Sequence, residues 1–227
     1  MFKSKQVSSS QHGLHPRLNE IVAKHIEKPY LKPIQQHNQL AFGQLQSAIK
    51  DLSPQKLILD SCCGTGMSTR KIAEANTNAL VVGIDQSASR LNRNTEKIAD
   101  FPKNALLLRT NCEDFWRLCA DAKLTFEKHY ILYPNPYPKA EHLKRRWHGH
   151  PCFPALPKLT KNIELRSNWL TYLKEFEHAW QQLTGNTSEL YEVSAEDPLT
   201  LFERKYAGSR QTLFKLSSST LSNDVET

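Results

Sequence analysis

Four short apolar runs, separated by stretches of helical length, constrain this chain more than any other feature. KLILDSC, ALVVGID, ALLLRTN and KHYILYPN begin at residues 56, 79, 105 and 128. A strand with no solvent-facing side reads as an unbroken apolar run, as these do. The stretches between them predict helices over Met67–Ala75, 87–98 and 113–120. The expected fold is therefore α/β and Rossmann-like: a mostly parallel twisted sheet with helices on both faces. A further strand is expected at 162–166 and a helix at 169–183. ELYEVSA and RQTLFKLS are placed to pair as an antiparallel edge.

The rest of the chain divides around that core. Leu14, Leu18, Ile21, Val22, His25 and Ile26 recur at helical spacing. Pro29 and Pro33 break the pattern before a second helix over 35–50. The expected organisation is an N-terminal helical extension with a mobile, serine-rich tail (1–55), a main domain (56–217) and a C-terminal tail (218–227). No apolar run approaches the ~20 residues that span a bilayer, and the first residues lack a signal-peptide core. Five cysteines without C-x-x-C spacing fit reduced thiols and a cytoplasmic protein. With 30 Lys and Arg against 23 acids, the net charge of +7 favours a polyanionic partner.

Asp60-Ser61-Cys62-Cys63-Gly64-Thr65-Gly66 joins the first strand to its helix. A turn that brings backbone N–H groups against a ligand needs residues without a Cβ, here Gly64 and Gly66. Asp85 ends the second strand, where a carboxylate can accept both hydroxyls of a ribose. Position 69 is Thr, so the pyrophosphate fingerprint Gly-x-Gly-x-x-Gly is absent, and Asp60 beside the turn repels an anion. S-adenosylmethionine, with a ribose, an amino group and a sulfonium but no phosphate, suits these residues. The register resembles the class I methyltransferases, whose first motif reads acid-x-Gly-x-Gly-x-Gly, with Cys62 in place of the first glycine. That resemblance places Asn111, Cys112 and Glu113 beside the adenine.

After the fourth strand come Tyr133-Pro134-Asn135-Pro136-Tyr137 and a basic cluster. This segment resembles the tRNA (guanine-N7)-methyltransferases, which carry Phe-x-Asp-Pro-Trp followed by Lys-x-Arg-His-x-Lys-Arg-Arg. Lys139, His142, Lys144, Arg145 and Arg146 keep that register, while Glu141 replaces one arginine. Ser167-Asn168 with Tyr172, and Thr200 to Lys205, resemble the family's later motifs, so the likeness covers about 56–216. The resemblance implies a tRNA substrate and methylation of guanine 46 in the variable loop. It implies Asn135, Asn168 and Glu203 at the base. It also implies Tyr137, Thr200, Lys139, His142, Lys144, Arg145 and Arg146 on the RNA.

Guanine N7 attacks through an in-plane lone pair and loses no proton, so the enzyme mainly orients the base and tolerates charge on the product ring. A carboxylate suits both needs, and here Asn135 and Asn168 stand where the family has acids. An amide accepts more weakly, by about 1–2 kcal/mol per bond. Two alternatives follow. One is methylation of an exocyclic amine, whose enzymes carry Asn/Asp-Pro-Pro-Tyr/Phe at this strand end. The other is a non-catalytic RNA-binding relative. His148-x-His150-x-Cys152 reads as loop rather than metal site, and no metal is expected. Trp169 and Trp180 read as core. The spacing leaves monomer or homodimer open.

Overall fold

The computed structural model describes residues 4–93, 101–194 and 196–218. Its strands are β1 (Lys56–Ser61), β2 (Ala79–Asp85), β3 (Ala105–Arg109), β4 (Lys128–Leu132), β5 (Ile163–Ser167), β6 (Glu189–Glu192) and β7 (Phe214–Ser218). The helices are α1 (Leu18–Glu27), α2 (Gln36–Leu52), α3 (Met67–Ala75), α4 (Ala88–Leu91), α5 (Cys112–Asp121), α6 (Leu156–Leu159), α7 (Leu170–Thr184) and α8 (Leu201–Gly208). The strands form one sheet in the order β3-β2-β1-β4-β5-β7-β6. β1 to β5 run parallel, and β7 is antiparallel to both β5 and β6. Strand order reverses between β1 and β4, so the crevice at their C-terminal ends is the ligand-binding switch point of such a sheet.

Strand alternation sorts the core into two layers. Leu59, Leu80, Val82, Ile84 and Leu108 face a large cluster built with Phe115 and Trp116 of α5 and Phe176 and Trp180 of α7. Ile58 and Val81 face the other way, onto Ile72 and Ala73 of α3. Full burial of each large apolar side chain contributes roughly 1.5–3 kcal/mol, so the larger layer carries most of the stability. β2 is buried at every position, as its unbroken apolar run requires. α7 ends on Gly185 at φ +75°, the left-handed cap that favours glycine. β6, the edge strand, is largely exposed and polar.

The extension is anchored to this body. Leu18, Ile21 and Val22 of α1 and Ala41 and Leu45 of α2 join the larger cluster. The serine-rich start, expected to be mobile, is tied down from Ser4 onward. Ser4 N donates to Ser209 Oγ at 2.9 Å, Ser9 Oγ to the Pro138 carbonyl at 2.5 Å, and Gln11 Nε2 to Glu175 Oε1 at 2.7 Å. Tertiary partners that no local pattern reveals hold this segment. The helix expected over 87–98 is seen only as α4, and 94–98 lie outside the described residues. So does the tail beyond Ser218. Among the described residues no helix is long and apolar enough to cross a membrane.

Candidate active site

The turn after β1 is built from three residues with positive φ: Cys62 (+63°), Gly64 (+63°) and Gly66 (+78°). The two glycines serve different ends. A Cβ on Gly66 would stand 2.8 Å from Leu107 Cδ1, whereas one on Gly64 would meet nothing within 4 Å. Gly66 is thus a packing requirement, and Gly64 borders open space. Asp85 Oδ2 accepts from Gly64 N at 3.0 Å and Oδ1 from Ser87 N at 2.8 Å, while Arg90 Nη1 lies 3.3 Å from Oδ2. Asp60 is fully buried beneath the turn. Its Oδ2 accepts from Ser68 Oγ (2.6 Å) and Thr69 Oγ1 (2.7 Å), and its Oδ1 has no partner. Burial pushes this carboxyl up to about 6, against the two hydroxyl bonds that lower it. An orphaned, buried carboxylate oxygen beside open backbone fits a cationic, hydrogen-bonding ligand and disfavours an anion.

Beside this cradle, Asn111 precedes the first turn of α5 and Glu113 lies within it, both partly exposed. Their position is fixed by Asn38 of α2, which the sequence reading missed. Asn38 Oδ1 accepts from Thr110 Oγ1 (2.9 Å) and Asn111 N (3.0 Å), and its Nδ2 donates to Asp114 Oδ2 at 2.6 Å. Arg117 completes the knot on Asp114 Oδ1 at 2.7 Å. Cys62 Sγ lies 3.6 Å from Cys112 Sγ, joining the two turns through a thiol contact.

The third component lies at the ends of β4 and β5. Their pairing sets Leu132 beside Arg166, and Tyr133 N donates to the Arg166 carbonyl at 2.9 Å. Asn135 and Asn168 thus emerge from neighbouring strands at one edge. Asn135 is exposed, its Oδ1 accepting only a long bond from Tyr137 N at 3.4 Å. Asn168 Nδ2 donates to Gln211 Oε1 at 2.7 Å, and Gln211 Nε2 donates to the Ser4 carbonyl at 2.9 Å. Tyr133 (φ +51°) and Tyr137 (φ +45°) hold left-handed backbone that is strained for aromatic residues and shapes the loop between them. The Arg145 guanidinium lies 5.8 Å from the centre of the Tyr137 ring.

The basic segment is a 3-10 turn over Ala140–Arg145 rather than a regular helix face. Lys139, Lys144 and Arg145 are exposed, and His142 is partly so. Arg146, expected on the RNA, is instead fully buried. Its Nη1 lies 2.5 Å from Glu175 Oε2, its Nε donates to the Tyr137 carbonyl at 3.1 Å, and its Nη2 to the Lys139 carbonyl at 3.2 Å. Glu175 also accepts from His15 N at 2.9 Å and meets His148 Nε2 at 2.9 Å. Burial alone would raise the Glu175 carboxyl, but His148 and the Arg146 charge overcome it and hold the group at about 2. Arg146 is thus the internal brace of the loop that carries Asn135 and Tyr137.

Glu203 and Thr200 also turn inward. Thr200 Oγ1 accepts from Glu203 N at 3.0 Å, Glu203 Oε2 accepts from Leu199 N at 2.8 Å, and Glu203 Oε1 pairs with Arg166 at 2.7 Å. This is a close relative of the capping box, and it starts α8. Glu203 and Thr200, expected at the base and on the RNA, are here engaged in a helix start locked onto β5. The Thr-x-x-Glu spacing was a readable helix signal.

The family described as "Putative methyltransferase" matches residues 54–216 of this chain. The chain belongs to this methyltransferase family, that of the tRNA (guanine-N7)-methyltransferases. A tRNA (guanine-N(7)-)-methyltransferase of Mycoplasma genitalium is 26% identical over 168 residues, 69% of this chain and 74% of that protein. Among solved structures, an antibiotic-related methyltransferase superposes with a TM-score of 0.59 at 15% identity, covering 83% of this chain and 96% of the other. The 16S rRNA methyltransferase KamB gives 0.57 at 18% identity, with 84% and 96% covered. A mutant 16S rRNA (adenine(1408)-N(1))-methyltransferase with cosubstrate SAM, from Catenulisporales acidiphilia, gives 0.56 at 15% identity, with 83% and 92% covered. At these identities the structures establish the fold alone, the Rossmann-like class I methyltransferase sheet.

Within this methyltransferase, one further buried network underlies the cradle. Trp116 Nε1 donates to Ser61 Oγ at 3.0 Å, and Ser61 Oγ lies 2.7 Å from His129 Nε2. Burial drives His129 down to about 3, so the imidazole is neutral and shares a single hydrogen bond with the serine hydroxyl. β1 and β4 are thereby bonded side chain to side chain immediately below the switch point. His148 and His150 are likewise loop-packing groups. Among the described residues no cluster of His, Cys, Asp and Glu could hold a metal ion.

Proposed function

We propose that this chain is an S-adenosylmethionine-dependent tRNA methyltransferase acting on guanine N7, at guanine 46 of the variable loop. One observation carries the reading. The orphaned Asp60 oxygen and the open Gly64 turn lie at one end of the switch-point crevice, and Asn135 and Asn168 emerge at the other. Asp60, Gly64 and Asp85 are suited to hold the cofactor, with Asn111 and Glu113 along its adenine. When bound, S-adenosylmethionine supplies an electrophilic methyl group. Asn135 and Asn168 orient the guanine by hydrogen bonds to its Watson–Crick edge, and Tyr137 offers a stacking face. N7 carries no proton, so no side chain has to act as general base. Lys139, Lys144 and Arg145 project to solvent beside this loop and are suited to neutralise phosphates. The Mycoplasma relative's name and the family agree with this substrate class.

Mass spectrometry of tRNA nucleosides from cells with and without the gene tests the assignment. Loss of 7-methylguanosine is the expected result. Unchanged 7-methylguanosine with loss of another methylated base assigns the asparagines to a different acceptor, and no change with intact tRNA binding makes the chain a non-catalytic relative. The Asn135→Asp variant isolates the amide. Restoring the carboxylate recovers about 1–2 kcal/mol per hydrogen bond, so turnover on guanine rises roughly five- to thirtyfold. A fall in turnover would show that the amide defines another substrate.

A further inference from the structure

We propose that Cys62 and Cys112 are a reversible oxidation site, a dithiol pair that hydrogen peroxide converts to a disulfide and that thereby loosens the hold on the cofactor. The consequence for the cofactor rests on the reading above; the thiol chemistry does not. The two sulfurs are already 3.6 Å apart although the residues are 50 positions apart in the chain. Cys62 is partly exposed on the turn, whereas Cys112 is buried at the first position of α5. The pair thus contains an accessible thiol to meet the oxidant and a sheltered one to resolve the product. Cys63, Cys119 and Cys152 are buried.

The placement gives the reaction its effect. A disulfide requires the sulfurs to close to ~2.05 Å. Cys112 has little freedom to approach, because α5 is locked through Asn111 and Asp114 onto Asn38. The movement falls on the Cys62 turn, whose φ of +63° is already unfavourable for a side-chain residue. Two residues on, Gly64 N is bonded to Asp85. Pulling the turn toward α5 disturbs that bond and the open space beside Gly64. Cys62 also stands at the position where the resembling motif has glycine, so a sulfur is present only because this chain departs from the motif.

The steps balance. The Cys62 thiolate attacks one peroxide oxygen, breaking the O–O bond to give a sulfenic acid and, after protonation of the leaving hydroxide, one water. Cys112, losing its proton, attacks the Cys62 sulfur and expels the second water as the S–S bond forms. Two thiols and one peroxide yield one disulfide and two waters. Exchange with an excess dithiol returns both cysteines to the reduced state.

The test uses the full chain, reduced, treated with stoichiometric peroxide and split into two samples. Non-reducing digestion and mass spectrometry of the first should find the Cys112 peptide cross-linked to the one holding Cys62. The link should be lost in Cys62→Ser and retained in Cys63→Ser. Calorimetry of the second with S-adenosylmethionine should show affinity weakened by about tenfold or more, equivalent to ~1.4 kcal/mol, and restored by dithiothreitol. The Cys112→Ser variant should give the same affinity before and after peroxide. No cross-link, or one through Cys63, overturns the proposal, as does a Cys62–Cys112 link with unchanged affinity. Reduced protein that binds no cofactor sinks the cofactor reading and the claimed consequence, while the cross-link still decides the thiol chemistry.

Discussion

Beneath the glycine turn, Asp60 is fully buried, with one oxygen held by Ser68 and Thr69 and the other free. At the ends of β4 and β5, the positions where the family carries acids are the neutral amides Asn135 and Asn168. The turn after β1 has therefore kept its carboxylate, whereas the loops after β4 and β5 carry amides. Yet the loop after β4 is not without internal charge, because Arg146 and Glu175 form a fully buried pair behind it. The contrast separates two uses of charge. On one side a buried carboxylate keeps an oxygen without a partner; on the other, charge fixes backbone, and the exposed side chain of Asn135 is neutral.

The largest expected effect breaks the brace. Glu175→Ala leaves Arg146 buried without its partner, and loss of about 3–5 kcal/mol of unfolding free energy is expected by urea denaturation. Asn135→Ala, at an exposed position, should change the same quantity by less than about 0.5 kcal/mol. Equal effects would erase the distinction between brace and contact surface.

Next comes the pH dependence of the cradle. The folded Asp60 carboxyl titrates at about 6, above its ordinary value of 3.8, so folding takes up a proton between these values. The ligand-free protein should lose up to ~3 kcal/mol as pH rises through that window. Asp60→Asn should remove this slope. A cationic ligand reverses the preference, so cofactor affinity should increase as pH rises through about 6, with proton release measurable by calorimetry in buffers of different ionisation enthalpy.

The smallest effect sharpens the assignment of the basic segment. Lys144→Ala should reduce the slope of log affinity for tRNA against log salt by about one. Arg146→Lys should leave that slope unchanged while lowering stability, since its guanidinium holds the Tyr137 and Lys139 carbonyls rather than phosphate.

What could be read without coordinates follows the same division. β2 and α3 were expected at the bounds they adopt, because apolar runs, helical spacing and glycine turns are local signals. The antiparallel pairing of β6 with β7 was likewise legible. Asn38, the inward turn of Arg146 and the anchoring of Ser4 to Gln11 were not, since each depends on a partner more than 20 residues away in sequence. At the candidate site, the glycine turn and the acids Asp60 and Asp85 could be named from residue type alone. Which cations face solvent could not: Arg145 and Arg146 are adjacent and chemically identical, and only packing distinguishes them.

The anchoring of Ser4 has a consequence for polarity. The Ser4 carbonyl can only accept, so Gln211 must turn its Nε2 toward it and present Oε1 to Asn168. Asn168 must then commit its Nδ2 to Gln211, which leaves its oxygen as the end available to a ligand. A symmetric-looking amide is thereby made one-sided. Through two hydrogen bonds, a backbone oxygen near the start of the chain gives Asn168 the acceptor face that a carboxylate would have had without help.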